Sequence, residues 1–242
     1  GMRVGVEFAE LFKDRQLSND CKAAEKKLVK AASRVYKKFL ASCPAPDAPG
    51  SKQVTALMTI TGLIDAPKAD KEFLSINGAQ GFSTFYGYYM LEAMAMAGNY
   101  QGALDVIREY WGAMIDLGAT SFWEDFDINW IPNAAPIDEL VPEGKKDIHG
   151  DCGAYCYVGF RHSLCHGWAS GPTSWLSRHI LGVEVIEPGC RQVRITPHLG
   201  DLQWVKGTFP TPYGEIQIYH EKQANGNVIS EVKAPKGVSV IK

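Results

Sequence analysis

Residues Phe82 to Ala97 have the sequence FSTFYGYYMLEAMAMA, and apolar side chains fall on nearly every side of the helix that this segment would form. A helix that is apolar all round has to be buried all round. After a turn at "GNY", residues 98–100, the segment Tyr100 to Leu117 has apolar side chains every three or four residues, on one side only. Gly118 follows where a C-terminal cap is expected. The pair predicts a helical hairpin with one inner and one outer helix.

The preceding segments repeat this alternation. Ser18 to Leu40 is predicted to be an amphipathic outer helix, whose apolar face consists of Cys21, Ala24, Leu28, Ala31, Val35 and Phe39. The prolines of "CPAPDAPGS", residues 43–51, end it, and a second helix is predicted from about Gln53 to Ile64. A double layer of helical hairpins, inner helices buried and outer helices amphipathic, is what an (α/α) toroid requires.

A change of period marks the C-terminal part. His162 to Leu181 is predicted to be another apolar helix, with a break or a second helix start at Pro172. Beyond residue 187 the segments "RQVRIT", "EIQIYHE" and "NVISEVKA" alternate apolar and polar residues, and Asn225-Gly226 favours a hairpin turn. With Gly1 set aside as a tag remnant before Met2, the prediction is a mainly α domain at 2–186 and a small antiparallel β-domain at 187–242.

Composition excludes several classes of protein. The 242 residues include 25 basic and 27 acidic side chains, a formal charge of -2 that does not favour nucleic acid or an anionic membrane surface as a partner. No apolar stretch approaches the roughly 20 residues that span a bilayer, and the N-terminal segment lacks the apolar core of a signal peptide. The chain as given is therefore expected to be cytoplasmic.

The six cysteines raise the question of a metal site. A chain of this size does not need disulfides, which favours free buried thiols. The alternative is zinc held by His149, Cys152 and Cys156 of "HGDCGAYC", with His162, Cys165 and His166 close behind. Structural zinc sites usually show a tighter Cys-x2-Cys spacing. We therefore expect no metal and no cofactor.

The loop "GATSFWEDFD", Gly118 to Asp127, gathers a tryptophan and three carboxylates directly after the predicted helix end. Acidic residues in such a place commonly form a solvated turn. A tryptophan beside a carboxylate is also what a sugar site requires, because sugar C–H faces pack on flat rings while hydroxyl groups need polar partners. Both interpretations are open from the residues alone.

A family resemblance favours the sugar site. The segments "YYMLEAMAMAGNYQGALDVIREYWGAMIDLGATSFWED" and "CHGWASGPTSWLSRHILGVEVIEPGCRQVRITPHLGDLQWVKGTFPTPYGEI" resemble the C-terminal part of family 78 glycoside hydrolases, the bacterial α-L-rhamnosidases. The resemblance covers residues 80–220 closely and the earlier helices loosely. It implies an (α/α)6 barrel followed by a β-domain, and inverting hydrolysis of a terminal α-L-rhamnoside.

The resemblance also implies roles for individual residues. The family motif Gly-Ala-Thr-Thr-x-Trp-Glu falls on Gly118 to Glu124, with Ser121 in place of the second threonine, so Glu124 is the candidate base that activates water. The sugar-binding histidine of the family aligns with His166, which would otherwise be interpreted as a core histidine. Trp123, Trp130 and Trp168 are candidates for sugar contact or for core packing, and its predicted place within a helix puts Trp168 nearer to the core.

Two departures from the family shape the functional hypotheses. The loop from Asp125 to Phe160 is longer than the family leads one to expect. The stretch that carries the family's general acid has no counterpart, and Asp125 and Asp127 lie too close to Glu124 to replace it across a sugar ring. Three hypotheses follow: a C-terminal portion of a rhamnosidase that needs a missing N-terminal half, a sugar-binding remnant, or an interaction module. An unfinished toroid would also expose apolar helix flanks, which predicts self-association.

Overall fold

The computed structural model describes residues 1–42, 45, 46, 48, 50–147 and 163–241. The chain divides into two compact units, Gly1–Ala48 and Pro49–Lys242. None of the helices in these described ranges is long and apolar enough to cross a membrane.

The first unit is a pair of helices, α1 (Met2–Leu11) and α2 (Arg15–Ser42), which pack on each other. Cys21 and Tyr36 are buried on α2, but Leu28 and Val35 are 58% and 61% exposed. The predicted continuous buried face of this helix is therefore wrong at those two positions. Within this unit α1 has 10 residues and α2 has 28, so α1 covers only part of its longer partner.

The second unit has one inner helix, which the other α-helices of the unit contact. In chain order its α-helices are α3 (Ser51–Ile60), α4 (Ala66–Ala69), which continues as a π-helical turn over Asp70–Leu74, α5 (Gly87–Met96), α6 (Tyr100–Asp116) and α7 (Gly171–Trp175). The inner helix is α5, which contacts α3, α4, α6 and α7 and buries six of its ten residues. The predicted inner helix is present, but it is not buried all round, because Met96 is 52% exposed, and it begins at Gly87 rather than at Phe82.

The helix α6 shows the predicted outer character. Asn99 caps it by accepting a hydrogen bond from the Gly102 amide, and Ala103, Tyr110 and Trp111 lie on its buried face. Ile115, an apolar residue of the same helix, is 68% exposed. Gly118 has a φ of 91° and ends the helical segment, as the sequence predicts for a cap.

The segment before the β-domain is shorter and more broken than the predicted helix. A 3-10 turn at Gly167–Ala169 precedes α7, and a π-helical turn at Leu176–Ile180 follows it. Pro172 lies in the first turn of α7, so the predicted second helix start is confirmed. His162, the predicted beginning of this helix, is outside the described residues.

The C-terminal part holds two three-stranded sheets. In chain order the strands are β1 (Ala134–Ala135) and β2 (Lys146–Asp147), a short parallel pair in the long loop, then β3 (Val183–Val185), β4 (Gln192–Ile195), β5 (Trp204–Thr211), β6 (Gly214–Lys222), β7 (Val228–Lys233) and β8 (Ser239–Ile241). The order β5-β6-β7 is antiparallel throughout. The order β3-β4-β8 is mixed, because β8 pairs parallel with β4, so the prediction of a purely antiparallel domain is wrong there. The strand β3 also lies before the predicted boundary at residue 187.

Gly182 lies at the junction of the helices and the β-domain and offers a test of this packing. Its φ is 73°, and a Cβ built there would lie 2.3 Å from the carbonyl carbon of Thr196. Gly189 has a similar φ of 74° with nothing within 4 Å of a Cβ. We expect Gly189→Ala to cost about 1–2 kcal/mol for the left-handed conformation alone. Gly182→Ala is expected to cost distinctly more, because the Thr196 backbone has to move.

Urea unfolding of the two variants measures this difference. Equal losses of unfolding free energy in Gly182→Ala and Gly189→Ala would contradict the close approach of Gly182 to Thr196.

Candidate functional site

The loop Gly118 to Asp127 is anchored in the core rather than solvated. Trp123 and Phe126 are 0% and 1% exposed, and their ring centroids lie 6.0 Å apart. The Tyr110 hydroxyl donates a hydrogen bond to the Phe126 carbonyl. The loop therefore has a fixed course, and the acidic residues beside these anchors take fixed positions.

The three carboxylates of the loop have different surroundings. Asp127 caps the 3-10 turn Ile128–Trp130 by accepting a hydrogen bond of 2.9 Å from the Asn129 amide. Burial raises the pKa of Asp125, and the neighbouring carboxylates of Asp127 and Glu124 raise it further, while the Phe126 amide opposes the shift. Asp127 thus has a local structural role, whereas Glu124 is placed by a different segment.

Glu124 is fixed by residues 163–166. Its backbone amide donates to the Ser163 carbonyl at 2.8 Å, and its Oε2 accepts from the Ser163 amide at 2.8 Å. The side chain of Glu124 is 11% exposed. The His166 amide donates to the Phe122 carbonyl at 2.7 Å, and the Ser121 hydroxyl donates to the Leu164 carbonyl. These hydrogen bonds join the two segments side by side.

The result is that Glu124 and His166 are neighbours. The Nδ1 atom of His166 lies 3.9 Å from Oε2 of Glu124, and the His166 side chain is 31% exposed. The family resemblance singles out these two residues, which are about forty positions apart in the chain. The structure thus brings them together. Their separation exceeds a hydrogen bond, so the two side chains are neighbours that are not hydrogen-bonded to each other.

Trp168 is the third member of this cluster, and its predicted burial in the core is wrong. It is 45% exposed, its ring centroid lies 4.0 Å from that of His166, and its Nε1 donates to the Glu124 carbonyl at 2.7 Å. The reason is local: Trp168 lies in the 3-10 turn Gly167–Ala169, ahead of α7, and not inside a continuous helix. Pro172 was the sequence signal, because a proline prefers the first turn of a helix and so places Trp168 before it.

The other two predicted tryptophans lie deeper. Trp123 is fully buried, so its ring offers no surface to a ligand and we assign it to packing. Trp130 is partly buried, with its ring 6.0 Å from that of Phe126. A residue that the sequence did not single out, Thr84, donates to the Glu124 carbonyl at 2.5 Å. Thr84 and Trp168 therefore both hold the backbone of Glu124.

No group of three or more metal-binding side chains occurs in the part of the chain that the structure describes. Of the alternative zinc ligands, His149, Cys152, Cys156 and His162 lie outside the described residues. Of the described cysteines, Cys21 is buried, whereas Cys165 is exposed, contrary to the expectation of buried thiols.

In chemical terms the cluster combines three kinds of group. A nearly buried carboxylate can take a proton from water, an imidazole can hydrogen-bond a hydroxyl, and an exposed indole can pack on a sugar face. These are the kinds of group that a sugar-binding site uses.

Residues 182–241 match the family model of the bacterial alpha-L-rhamnosidase C-terminal domain. The β-domain is therefore similar to that domain, and the chain resembles a C-terminal part of a family 78 α-L-rhamnosidase.

Solved structures extend the likeness to the helices. A GH78 family rhamnosidase of Bacillus sp. GL1 is 26% identical over 78% of this chain and 18% of its own, with a TM-score of 0.59. The α-L-rhamnosidase of Aspergillus terreus is 18% identical over 97% of this chain and 26% of its own, with a TM-score of 0.70. The α-L-rhamnosidase of Streptomyces avermitilis, solved with L-rhamnose, is 17% identical over 99% of this chain and 22% of its own, with a TM-score of 0.69.

The chain thus spans between 18% and 26% of the length of these structures. A search of curated proteins gave no significant match. The comparisons establish the fold of the chain, and the activity of a whole protein of this kind is a matter for proposal.

Proposed function

We propose that this chain supplies the water-activating side of the active site of an inverting α-L-rhamnosidase. The observation that carries the proposal is the fixed carboxylate of Glu124, which accepts a hydrogen bond from the Ser163 amide and lies 3.9 Å from His166. In this proposal the helices form part of an (α/α)6 barrel, and the ligand is a terminal α-L-rhamnoside.

Each group has a role in the proposed reaction. Glu124 takes a proton from the water that attacks the anomeric carbon from the face opposite the leaving group, which inverts the configuration. His166 hydrogen-bonds a hydroxyl of the rhamnose, and Trp168 packs against the ring. The fixed amide of Ser163 orients the carboxylate and removes the need to order it during the reaction.

The reaction also requires a general acid about 6.5–9.5 Å from the base, on the other side of the sugar. Asp125 and Asp127 follow Glu124 too closely along the chain to reach that side, and Asp127 is engaged as a cap. We propose that the acid comes from a further polypeptide segment, or from another subunit that covers the apolar helix faces predicted to drive self-association.

A second candidate function is rhamnoside binding without hydrolysis. The exposed ring of Trp168 beside His166 favours it, because an aromatic face and a hydrogen-bonding group are sufficient to bind a sugar. The two functions share one site and differ in whether an acid completes it.

Titration calorimetry with methyl α-L-rhamnoside tests both functions. We expect saturable binding that weakens about tenfold in His166→Ala, the loss expected when one hydrogen bond of about 1.4 kcal/mol is removed. Cys165→Ser, the exposed neighbour, is the matched control and is expected to bind as the unchanged chain does.

Hydrolysis of 4-nitrophenyl α-L-rhamnoside, whose good leaving group needs little protonation by an acid, separates the two functions when it is followed by NMR. Release of the β-anomer as the first product supports the enzyme, and binding with no release supports the second function. A chain that neither binds nor cleaves a rhamnoside would contradict the proposed site.

A further inference from the structure

A cavity of about 820 Å³ lies beside the candidate site, between the helices and the β-domain of the second unit. Trp168 forms part of its wall and also donates a hydrogen bond to the Glu124 carbonyl. The volume lies within the roughly 300–1,000 Å³ that ligand clefts enclose. We call this cavity the interdomain groove. Its further walls come from the start of α5, from α7 and from the strands β3 and β5.

One wall of the interdomain groove is aromatic. Phe85 has its ring 5.7 Å from Trp168 and 5.8 Å from Tyr89, with edge-to-face angles of 62° and 65°. Phe85 is 41% exposed and Trp168 is 45% exposed, so part of each ring is accessible to a ligand. Phe209 of β5 faces the same space. Flat rings at this exposure suit the C–H faces of sugar residues.

The polar groups of the interdomain groove are mainly hydroxyls of one segment. Ser170 donates to the Gly167 carbonyl at 2.7 Å, Ser174 to the Gly171 carbonyl at 3.1 Å, and Ser177 to the Thr173 carbonyl at 3.1 Å. Because each hydroxyl proton is engaged by the backbone, each oxygen presents lone pairs to a ligand. The hydroxyl groups of a glycan are the donors that match them.

The charges of the interdomain groove are matched internally. Arg178 lies 3.2 Å from the Glu92 carboxylate, and Glu184 lies 2.8 Å from Arg194. A ligand therefore meets a wall whose positive and negative groups already have partners, which favours a neutral ligand over an anionic one.

From these observations we infer that the interdomain groove binds the neutral glycan to which the terminal rhamnose is attached. This inference rests on the proposed function, because it takes the cluster of Glu124, His166 and Trp168 as the place of the terminal sugar. Trp168 joins the two, since its ring lies 4.0 Å from that of His166 at a tilt of 44° and also lines the groove. The substrate class is accordingly an uncharged, rhamnose-terminated oligosaccharide or polysaccharide rather than a rhamnoside of a small aglycone.

Calorimetry with a neutral, rhamnose-terminated tetrasaccharide and with methyl α-L-rhamnoside tests the inference. We expect the tetrasaccharide to bind at least about tenfold tighter, because its additional rings pack on the aromatic wall. Thr173→Trp, which places a large side chain in the groove at an exposed position, and Phe85→Ala are each expected to remove that advantage. The Thr173→Trp variant should bind methyl α-L-rhamnoside as the unchanged chain does.

The matched control is Trp204→Ala, which removes a 60% exposed ring that does not line the interdomain groove. It is expected to leave the affinity for both ligands unchanged. Equal affinity for the two ligands in the unchanged chain would overturn the inference, and so would a tetrasaccharide affinity that Thr173→Trp does not alter.

The same titrations separate this inference from the proposed function. Binding of the tetrasaccharide that is sensitive to Thr173→Trp, without any binding of methyl α-L-rhamnoside, would support the groove and count against the rhamnose site. Binding of methyl α-L-rhamnoside with no gain for the tetrasaccharide would support the rhamnose site and refute the groove.

Discussion

Replacement of Glu124 by glutamine is expected to lower kcat for an α-L-rhamnoside by about 10² to 10⁴-fold, the usual contribution of a positioned general base. Glutamine keeps the volume of the side chain and an oxygen that can accept from the Ser163 amide, but it cannot take a proton from water. The fold should therefore persist while the reaction fails. The measurement is the rate of 4-nitrophenyl release by whichever assembly of this chain proves active.

The control for this prediction is Asp127→Asn in the same loop. Asp127 accepts from the Asn129 amide, and asparagine is also a good capping residue, so we expect this variant to keep most of the rate. Equal losses in Glu124→Gln and Asp127→Asn would indicate disruption of the loop instead of loss of a base. An undiminished rate in Glu124→Gln would remove Glu124 from the mechanism.

Trp175→Ala is expected to lower the free energy of unfolding by about 3–5 kcal/mol, the range for truncation of a buried tryptophan. Trp175 is 0% exposed, and its Nε1 donates to the Leu91 carbonyl at 3.0 Å. The side chain thus connects α7 to the inner helix α5. Its removal leaves a cavity and a buried carbonyl without its indole partner.

Urea unfolding measures this loss, and Trp204→Ala provides the comparison. Because Trp204 is 60% exposed on β5, its truncation is expected to change the stability by about 0.5 kcal/mol or less. Trp175→Phe should fall between the two, since it keeps most of the volume and loses the hydrogen bond. A Trp175→Ala variant as stable as Trp204→Ala would contradict the packing of α7 on α5.

The sequence predicted those elements whose pattern of apolar residues is regular along their length. The helix α5 is apolar on all sides and touches four other helices, so no choice of face was needed. The strands β4, β6 and β7 alternate with period two, and the hairpin turn between β6 and β7 has its Asn-Gly signal. The motif that ends at Glu124 and the histidine at 166 also followed from the sequence, through a resemblance rather than through periodicity.

Other features depended on tertiary contacts that a local pattern does not contain. The apolar face of α2 is partly exposed, because α1 is shorter and covers only part of it. The periodicity of a sequence identifies the apolar face of a helix but not the length of the helix that covers this face. The parallel pairing of β8 with β4 joins strands that are distant in sequence, and no turn signal reports such a pairing. The strand β5 has Gly207 and Pro210 within it, which obscures its alternation.

The tryptophans show most directly what the sequence determined and what it did not. It placed Trp123 and Trp168 near Glu124 and His166, because the motifs that contain them are local. The fold decided which of the two indoles is buried. Trp123 packs on Phe126 in the core, whereas Trp168 lies in a 3-10 turn and is 45% exposed. Burial depends on what other segments bring to a side chain, so only the tertiary structure could assign one ring to the core and the other to the site.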